Sequence, residues 1–296
     1  HHYLCRQLKG GGMEIFMKIK ITADSSCDLS EELLQRYQIS MLPLYIIKGS
    51  SDYKDGIEIK PADIFAHVAS GGELCSTSAI NVEDYIRYFR QYRKDYDYII
   101  HLNLGSGFSS CYRNACAAAE EVDHVYIIDS ENLSSGTGYL AVKAAMLAQS
   151  GMDPEAIVEE ICRLRKKIEV SFVIDKLDYL KKGGRCSSVM AFGANLLNIK
   201  PCIEVVDGAM TVVKKYRGSF RKCVLQYIRE RLEGRSDLIS ELMFITHSAC
   251  SKELVTAVWN ESDNYARFDS RYITEAGCTI SSHCGPNTLG IIFAHV

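Results

Sequence analysis

The chain has no excess of basic charge. Its 34 lysines and arginines are outnumbered by 37 aspartates and glutamates, giving a formal net charge of -3. A nucleic-acid surface needs a basic excess to displace counterions from phosphates, and a membrane-surface anchor needs a polybasic cluster, so neither is indicated. No window comes near the roughly 18 uninterrupted apolar residues of a membrane span. The 12 cysteines include no CxxC pair and follow no regular spacing. Cys162, Cys202 and Cys223 sit inside apolar patterns, so the thiols read as small buried hydrophobes in a reducing cytoplasm, not as a disulfide framework. There is no Walker A loop and no GxGxxG, so nothing points to nucleotide binding by this chain. Flexible linkers, internal repeats and low-complexity tracts are also missing.

What is present is ordinary in bulk. The chain has 296 residues, 47% of them hydrophobic and 24% charged, the profile of a soluble globular protein with room for two domains. Residues His1–Gly12 read as a tag remnant and linker. The native start is expected at Met13 or Met17, with no signal-peptide apolar region after it.

Hydrophobic periodicity then divides the chain. Lys18–Thr22 alternates like a strand, and Ser30 is placed to cap a helix over Glu31–Tyr37. Ile39–Ile47 contains Pro43 and reads as an edge strand or extended segment. Helices are expected over Val82–Arg93, Ser109–Glu121 and Gly138–Ser150. Others are expected to open at Pro61 and at Asp153-Pro154, where proline suits the first turn. Strands are expected at Asp97–Leu102 and Val125–Asp129. This alternation predicts an open, mainly parallel α/β sheet with flanking helices over residues 17–162, after a tag or linker tract at 1–16. In the second half, Ile203–Val206 and Ala209–Val213 flank Asp207-Gly208, a strong hairpin signal because both residues tolerate positive φ. A helix over Ser219–Leu232, a strand over Glu241–Thr246, a helix over Lys252–Glu261 and strands over Ser270–Glu275 and Leu289–Ala294 complete an α+β domain with a partly antiparallel sheet, residues 163–296.

Open α/β sheets bind ligands beyond the carboxyl ends of their strands. Three segments fall there: Asp24-Ser25-Ser26, Leu104–Ser110 and Asp129-Ser130. Gly107-Phe108-Ser109-Ser110-Cys111 sits where a hydrolase would carry its G-x-S-x-G elbow, with Cys111 in place of the last glycine. With Asp129 and His283 it offers the order Ser, Asp, His. Ser109 could equally cap the following helix, or join the helix N-terminus in binding an anionic oxygen. Cys75-Ser76-Thr77-Ser78 reads as a cap for the next helix or as a set of hydroxyl donors to a carboxylate. Arg185, behind Gly183-Gly184, is either solvated surface or a contact for phosphate or a partner's carboxylates. His283 lies in a glycine-proline turn and reads as structural, or as a donor or proton carrier at a site. A zinc site from Cys278, His283 and Cys284 is geometrically poor, since adjacent ligands on a strand point to opposite faces. Asp24 is expected to accept backbone N–H groups of its own turn, with a metal carboxylate or general base as alternatives.

Taken in order, these segments resemble the DegV family of fatty-acid-binding proteins. The resemblance rests on Thr22–Leu29, Leu42-Pro43-Leu44, Tyr53-Lys54-Asp55-Gly56, Ser76-Thr77-Ser78, Phe108–Tyr112, Leu180–Arg185 and His283-Cys284-Gly285-Pro286. It implies a two-domain DegV-like fold that holds one long-chain fatty acid between its lobes, with no other cofactor, no metal and no catalytic residue. It also implies that Thr77 and Ser109 bind the carboxyl group, and that Arg185 and His283 lie near it or near the docking surface for a fatty acid kinase. That partner would make an acyl phosphate with ATP and feed phospholipid synthesis. The chain departs from the family pattern at Ser110, Cys111, Ala79, Ile80 and Asn287. The alternative function is a serine esterase or lipase-like hydrolase using Ser109.

Burying methylenes yields about 0.8 kcal/mol each, so about 14 of them give about 11 kcal/mol gross, from which ordering and association subtract. The tail would supply affinity and the neutral hydroxyls orientation. Ala191–Leu197, Ile199–Val206 and Leu289–Ala294 are candidate tunnel walls, although for any single residue a place in the core is the simpler expectation.

Overall fold

The computed structural model describes residues 17–192 and 198–296. The tag-like tract 1–16 and residues 193–197 of the candidate tunnel wall lie outside the described residues. The chain forms two compact units. One takes in the described residues up to Leu44 together with Ala79–Lys166, and the other takes in Tyr45–Ser78 with Lys167–Val296.

The first unit is built on a fully parallel four-stranded sheet, in the order Ser40–Leu42, Ile19–Asp24, Tyr98–Asn103, Val125–Asp129. Helices Glu31–Tyr37, Val82–Arg93, Cys111–Ala119, Ser135–Gln149 and Pro154–Leu164 belong to it. Ser30 caps the first of these by accepting from the Leu33 amide, as expected. The strand expected at Lys18–Thr22 forms over Ile19–Asp24, and every residue of it is buried. Parallel strands are covered on both faces, so polar side chains there need partners. Lys20 finds one by donating to the Gln38 carbonyl at 2.6 Å, with its ammonium 5.0 Å above the Tyr92 ring. The expected helix at Gly138 begins earlier, at Ser135.

The second unit carries a mixed six-stranded sheet in the order Ala209–Arg217, Ile199–Val206, Ile168–Ile174, Thr288–His295, Leu238–Ser248, Ser270–Glu275. All neighbours are antiparallel except the last pair, which is parallel. The hairpin turn has Asp207 at φ 48° and Gly208 at φ 76°, the two positive values that an Asp-Gly turn predicts. Helices Phe220–Leu232 and Lys252–Tyr265 contribute Tyr227, Ile228 and Val258 to a core shared with Val173, Ile291 and Phe293. A separate antiparallel sheet, Ser51–Lys54, Tyr45–Lys48 and Ser76–Ser78, also belongs to this unit.

Where the sequence was divided once, at 162/163, the fold is divided three times. Pro43 interrupts the extended run: Ser40–Leu42 completes the parallel sheet, and Tyr45–Lys48 joins the small antiparallel one. Residues 45–78 go with the C-terminal unit because Ile46, Ile59, Ile64 and Cys75 share one apolar cluster with Cys278.

Tyr227 anchors the large sheet through its phenol. The hydroxyl donates to the Ser171 carbonyl at 2.8 Å and accepts from the Ile291 amide at 3.0 Å, so it ties two neighbouring strands from a fully buried position. Tyr227→Phe is expected to cost about 1–3 kcal/mol of unfolding free energy, read from urea unfolding. An unchanged midpoint would show that the phenol is dispensable.

Candidate functional site

In the second unit, strand geometry separates Thr77 from its flanking serines. Ser76–Ser78 is a strand, and side chains along it alternate between faces. Thr77 pairs with the fully buried Ile46 and is half-buried, whereas Ser76 and Ser78 are exposed. The tract does not cap the next helix. Asn81 does, its side chain accepting from the Asp84 amide at 2.8 Å.

Thr77 Oγ1 lies 2.7 Å from Nε2 of His283. The histidine stands on helix Cys278–Cys284, where a turn was expected. That short helix is held at its start by Asp55, whose buried carboxylate accepts from the amides of Cys278 at 2.9 Å and Thr279 at 3.2 Å, and from the Thr279 hydroxyl at 2.7 Å. Asp55 was visible only as part of the Tyr53–Gly56 motif. The signal for its role was an acidic side chain beside a turn glycine, too common to interpret without its distant partners.

The Lys181–Arg185 segment meets the same histidine. Helix Asp178–Gly183 ends on Gly184 at φ 67°, whose amide returns to the Leu180 carbonyl. A Cβ at Gly183 would run into Nδ1 of His283, so this position requires glycine for close approach. Arg185 is exposed, and its Nη1 donates to the Gly183 carbonyl at 2.7 Å. Burial, with the Arg185 charge adding to it, pushes the His283 imidazole down to about 4, so the ring is neutral at neutral pH. Its buried Nδ1 has no hydrogen-bond partner. An orphaned N–H costs more than an orphaned lone pair, which assigns the proton to Nε2 as donor to Thr77. The Thr77 hydroxyl proton is then left for another acceptor, and a carboxylate oxygen suits it.

In the first unit, Ser109 sits at the end of a loop that follows strand Tyr98–Asn103. Gly105 N–H donates to the Asn132 carbonyl at 2.8 Å, and Ser106 donates to Asp129 through its amide at 3.0 Å and its hydroxyl at 2.5 Å. Phe108 is buried just before Ser109. Ser109 Oγ accepts from the Cys111 amide at 3.2 Å and contacts the Cys111 sulfur at 3.2 Å, so it closes the start of helix Cys111–Ala119. Burial, helped by the Asp24 charge, pushes the Cys111 thiol up to about 12 and keeps it neutral.

The acid and base named for a hydrolase triad each have other partners within their own units. Asp129 spends its carboxylate on Ser106 and on the Glu131 amide, and His283 makes its bond to Thr77. Asp24 does not serve its own turn. It is fully buried and accepts from Tyr85, His101, Asn103 and the Leu104 amide. Among the described residues, no group of three histidine, cysteine or acidic side chains could hold a metal ion.

Comparison with known proteins agrees over nearly the whole chain. The profile of a family described as "Uncharacterised protein, DegV family" matches residues 18–296. A DegV domain-containing protein of Caldanaerobacter subterraneus subsp. tengcongensis is 32% identical over 283 residues, covering 93% of this chain and 98% of that protein. A protein of Thermotoga maritima named fatty acid-binding protein is 29% identical over 282 residues, covering 93% of this chain and 96% of that protein. A solved structure described as fatty acid binding of a DegV family protein from Thermus thermophilus aligns with a TM-score of 0.83 at 29% identity, covering 95% of this chain and 100% of that one.

The depressed His283 value has a measurable consequence. Above about 6.5 the ring is neutral in both folded and unfolded chains and does not contribute. Between 6.5 and about 4 the unfolded chain takes up a proton that the folded chain refuses, so stability falls with pH and levels off below 4. The loss attributable to this ring is about 3 kcal/mol. His283→Gln should flatten that part of a stability–pH profile measured by urea unfolding, and an unchanged slope would contradict the assignment.

Proposed function

Because the chain belongs to the DegV family, we propose that it is a carrier that binds a long-chain fatty acid and presents the carboxyl group to a partner fatty acid kinase. The carboxylate would attack the terminal phosphorus of ATP on that partner and give an acyl phosphate and ADP for phospholipid synthesis. The carrier itself would break no bond. In this reading Thr77, Ser109 and His283 are the ligand-binding residues, and the exposed Arg185 faces the kinase.

The observation that carries the reading is the Thr77–His283 pair at 2.7 Å, in which a neutral imidazole commits the threonine hydroxyl to donation. Donors without a formal charge orient a carboxylate and still let it leave as a phosphate anhydride. An ion pair would oppose that step. The names of the Thermotoga and Thermus proteins support fatty acid as the ligand class. The cytoplasm is the proposed compartment. Every described cysteine is a free thiol, which suits a reducing environment, and no helix among the described residues is long and apolar enough to cross a membrane.

Organic extraction of the purified protein followed by mass spectrometry should recover a long-chain fatty acid, and fluorophosphonate probes should leave Ser109 unlabelled. Labelling of Ser109 with turnover of acyl esters would instead establish a hydrolase. Thr77→Ala and Ser109→Ala should each weaken fatty acid binding about tenfold, the loss expected for a bond to a charged group. Arg185→Ala should lower kinase-dependent phosphorylation more than lipid binding. The reverse order would move Arg185 into the ligand site.

A further inference from the structure

We propose that Asp24 is a positioning residue for Ser109, its buried carboxylate holding the head of the loop that ends in the serine hydroxyl. The proposal rests on the reading of Ser109 as a donor to the ligand carboxyl group. Asp24 closes strand Ile19–Asp24, and neither its backbone nor its side chain is exposed. Oδ2 accepts from the Leu104 amide at 2.7 Å and from Asn103 Nδ2 at 3.1 Å. Oδ1 accepts from the Tyr85 hydroxyl at 2.6 Å and from His101 Nε2 at 3.0 Å. The other nitrogen of His101 lies 2.8 Å from the Thr22 hydroxyl, which can supply it a proton.

Every partner of Asp24 is thus a donor, and they come from two separate segments, the helix that carries Tyr85 and the strand end at His101–Leu104. Only a group that accepts at both oxygens satisfies that arrangement, which is the property of a carboxylate and not of an amide. A buried charge is tolerated where it is fully hydrogen-bonded, and removing it leaves several buried donors unpaired. Two of the four donors, Asn103 and Leu104, are the last residue of strand Tyr98–Asn103 and the residue that follows it. The loop therefore leaves the sheet under the control of Asp24, is caught again at Ser106 by Asp129, and buries Phe108 before reaching Ser109. The Asp24 charge also reaches Cys111, whose amide is the donor to Ser109 Oγ. A shift at the head of so short a loop is passed to its end, where a hydroxyl must meet a ligand within a few tenths of an ångström.

A double-mutant cycle on palmitate affinity tests this. Asp24→Asn and Ser109→Ala should each weaken binding about tenfold, and the double variant should be within about twofold of either single one, because Asp24 acts through the serine. A purely structural Asp24 would lower affinity by the same factor whether or not Ser109 is present, so losses that multiply to about a hundredfold overturn the proposal and leave the Ser109 reading intact. No effect of Asp24→Asn beside a clear effect of Ser109→Ala overturns it as well. No effect of Ser109→Ala alone overturns the reading on which the proposal rests. Should Asp24→Asn not fold, Asn103→Ala replaces it, removing one donor on the loop side and keeping the Leu104 amide. Its expected effect is about threefold, absent in the Ser109→Ala background, and an effect that persists there overturns the proposal.

Discussion

A carboxylate taken out of water must be surrounded by donors, and the donors then lose their freedom. That constraint organises both segments that carry the candidate residues. Asp24 gathers a phenol, an imidazole, an amide side chain and a backbone amide from residues 61 to 80 positions away. Asp55 does the same for a helix start more than 200 positions on, and that helix carries His283. Neither aspartate needs to touch a ligand to matter. Each converts the cost of a buried charge into the fixed placement of a neighbouring polar group, one leading to Ser109 and the other to His283.

The chemistry offered at the second of these places is that of oriented, uncharged donors. His283 is held neutral by burial and by the Arg185 charge, so its Nε2 proton is committed to Thr77 and the threonine proton is free to point elsewhere. Gly183 is part of the same device, since any side chain there would displace the ring. For a ligand with a long apolar tail, affinity comes from the tail at about 0.8 kcal/mol per methylene, and the head group needs only direction. Weak, well-placed hydroxyls are the appropriate means.

Much of the architecture was legible because it is written in local chemistry. Ser30 caps where it should, Asp207-Gly208 turns the hairpin, and the apolar runs at Tyr98–Asn103 and Val125–Asp129 are parallel strands. The failures have physical causes. Ser76–Ser78 has no hydrophobic alternation, so the strand is recognisable only through its pairing with Tyr45–Lys48. Ile168–Ile174 is a central strand close to the expected 162/163 boundary, in a stretch where no strand is expected from the sequence. Residues 45–78 look continuous with the N-terminal half, and only the contact of Ile46, Ile59 and Ile64 with Cys278 shows where they belong.

Most of the strands and helices, the tight turns, and the short list of hydroxyl, imidazole and guanidinium groups worth suspecting were determined by the amino-acid sequence, because periodicity and capping act over a few residues. Which of three adjacent hydroxyls faces inward, that His283 stands on a helix and bonds Thr77, and that Asp24 serves the loop of another strand were decided by tertiary structure alone. Those outcomes depend on partners brought together across the chain, and burial then sets the protonation state and direction of each group in a way that no local pattern records.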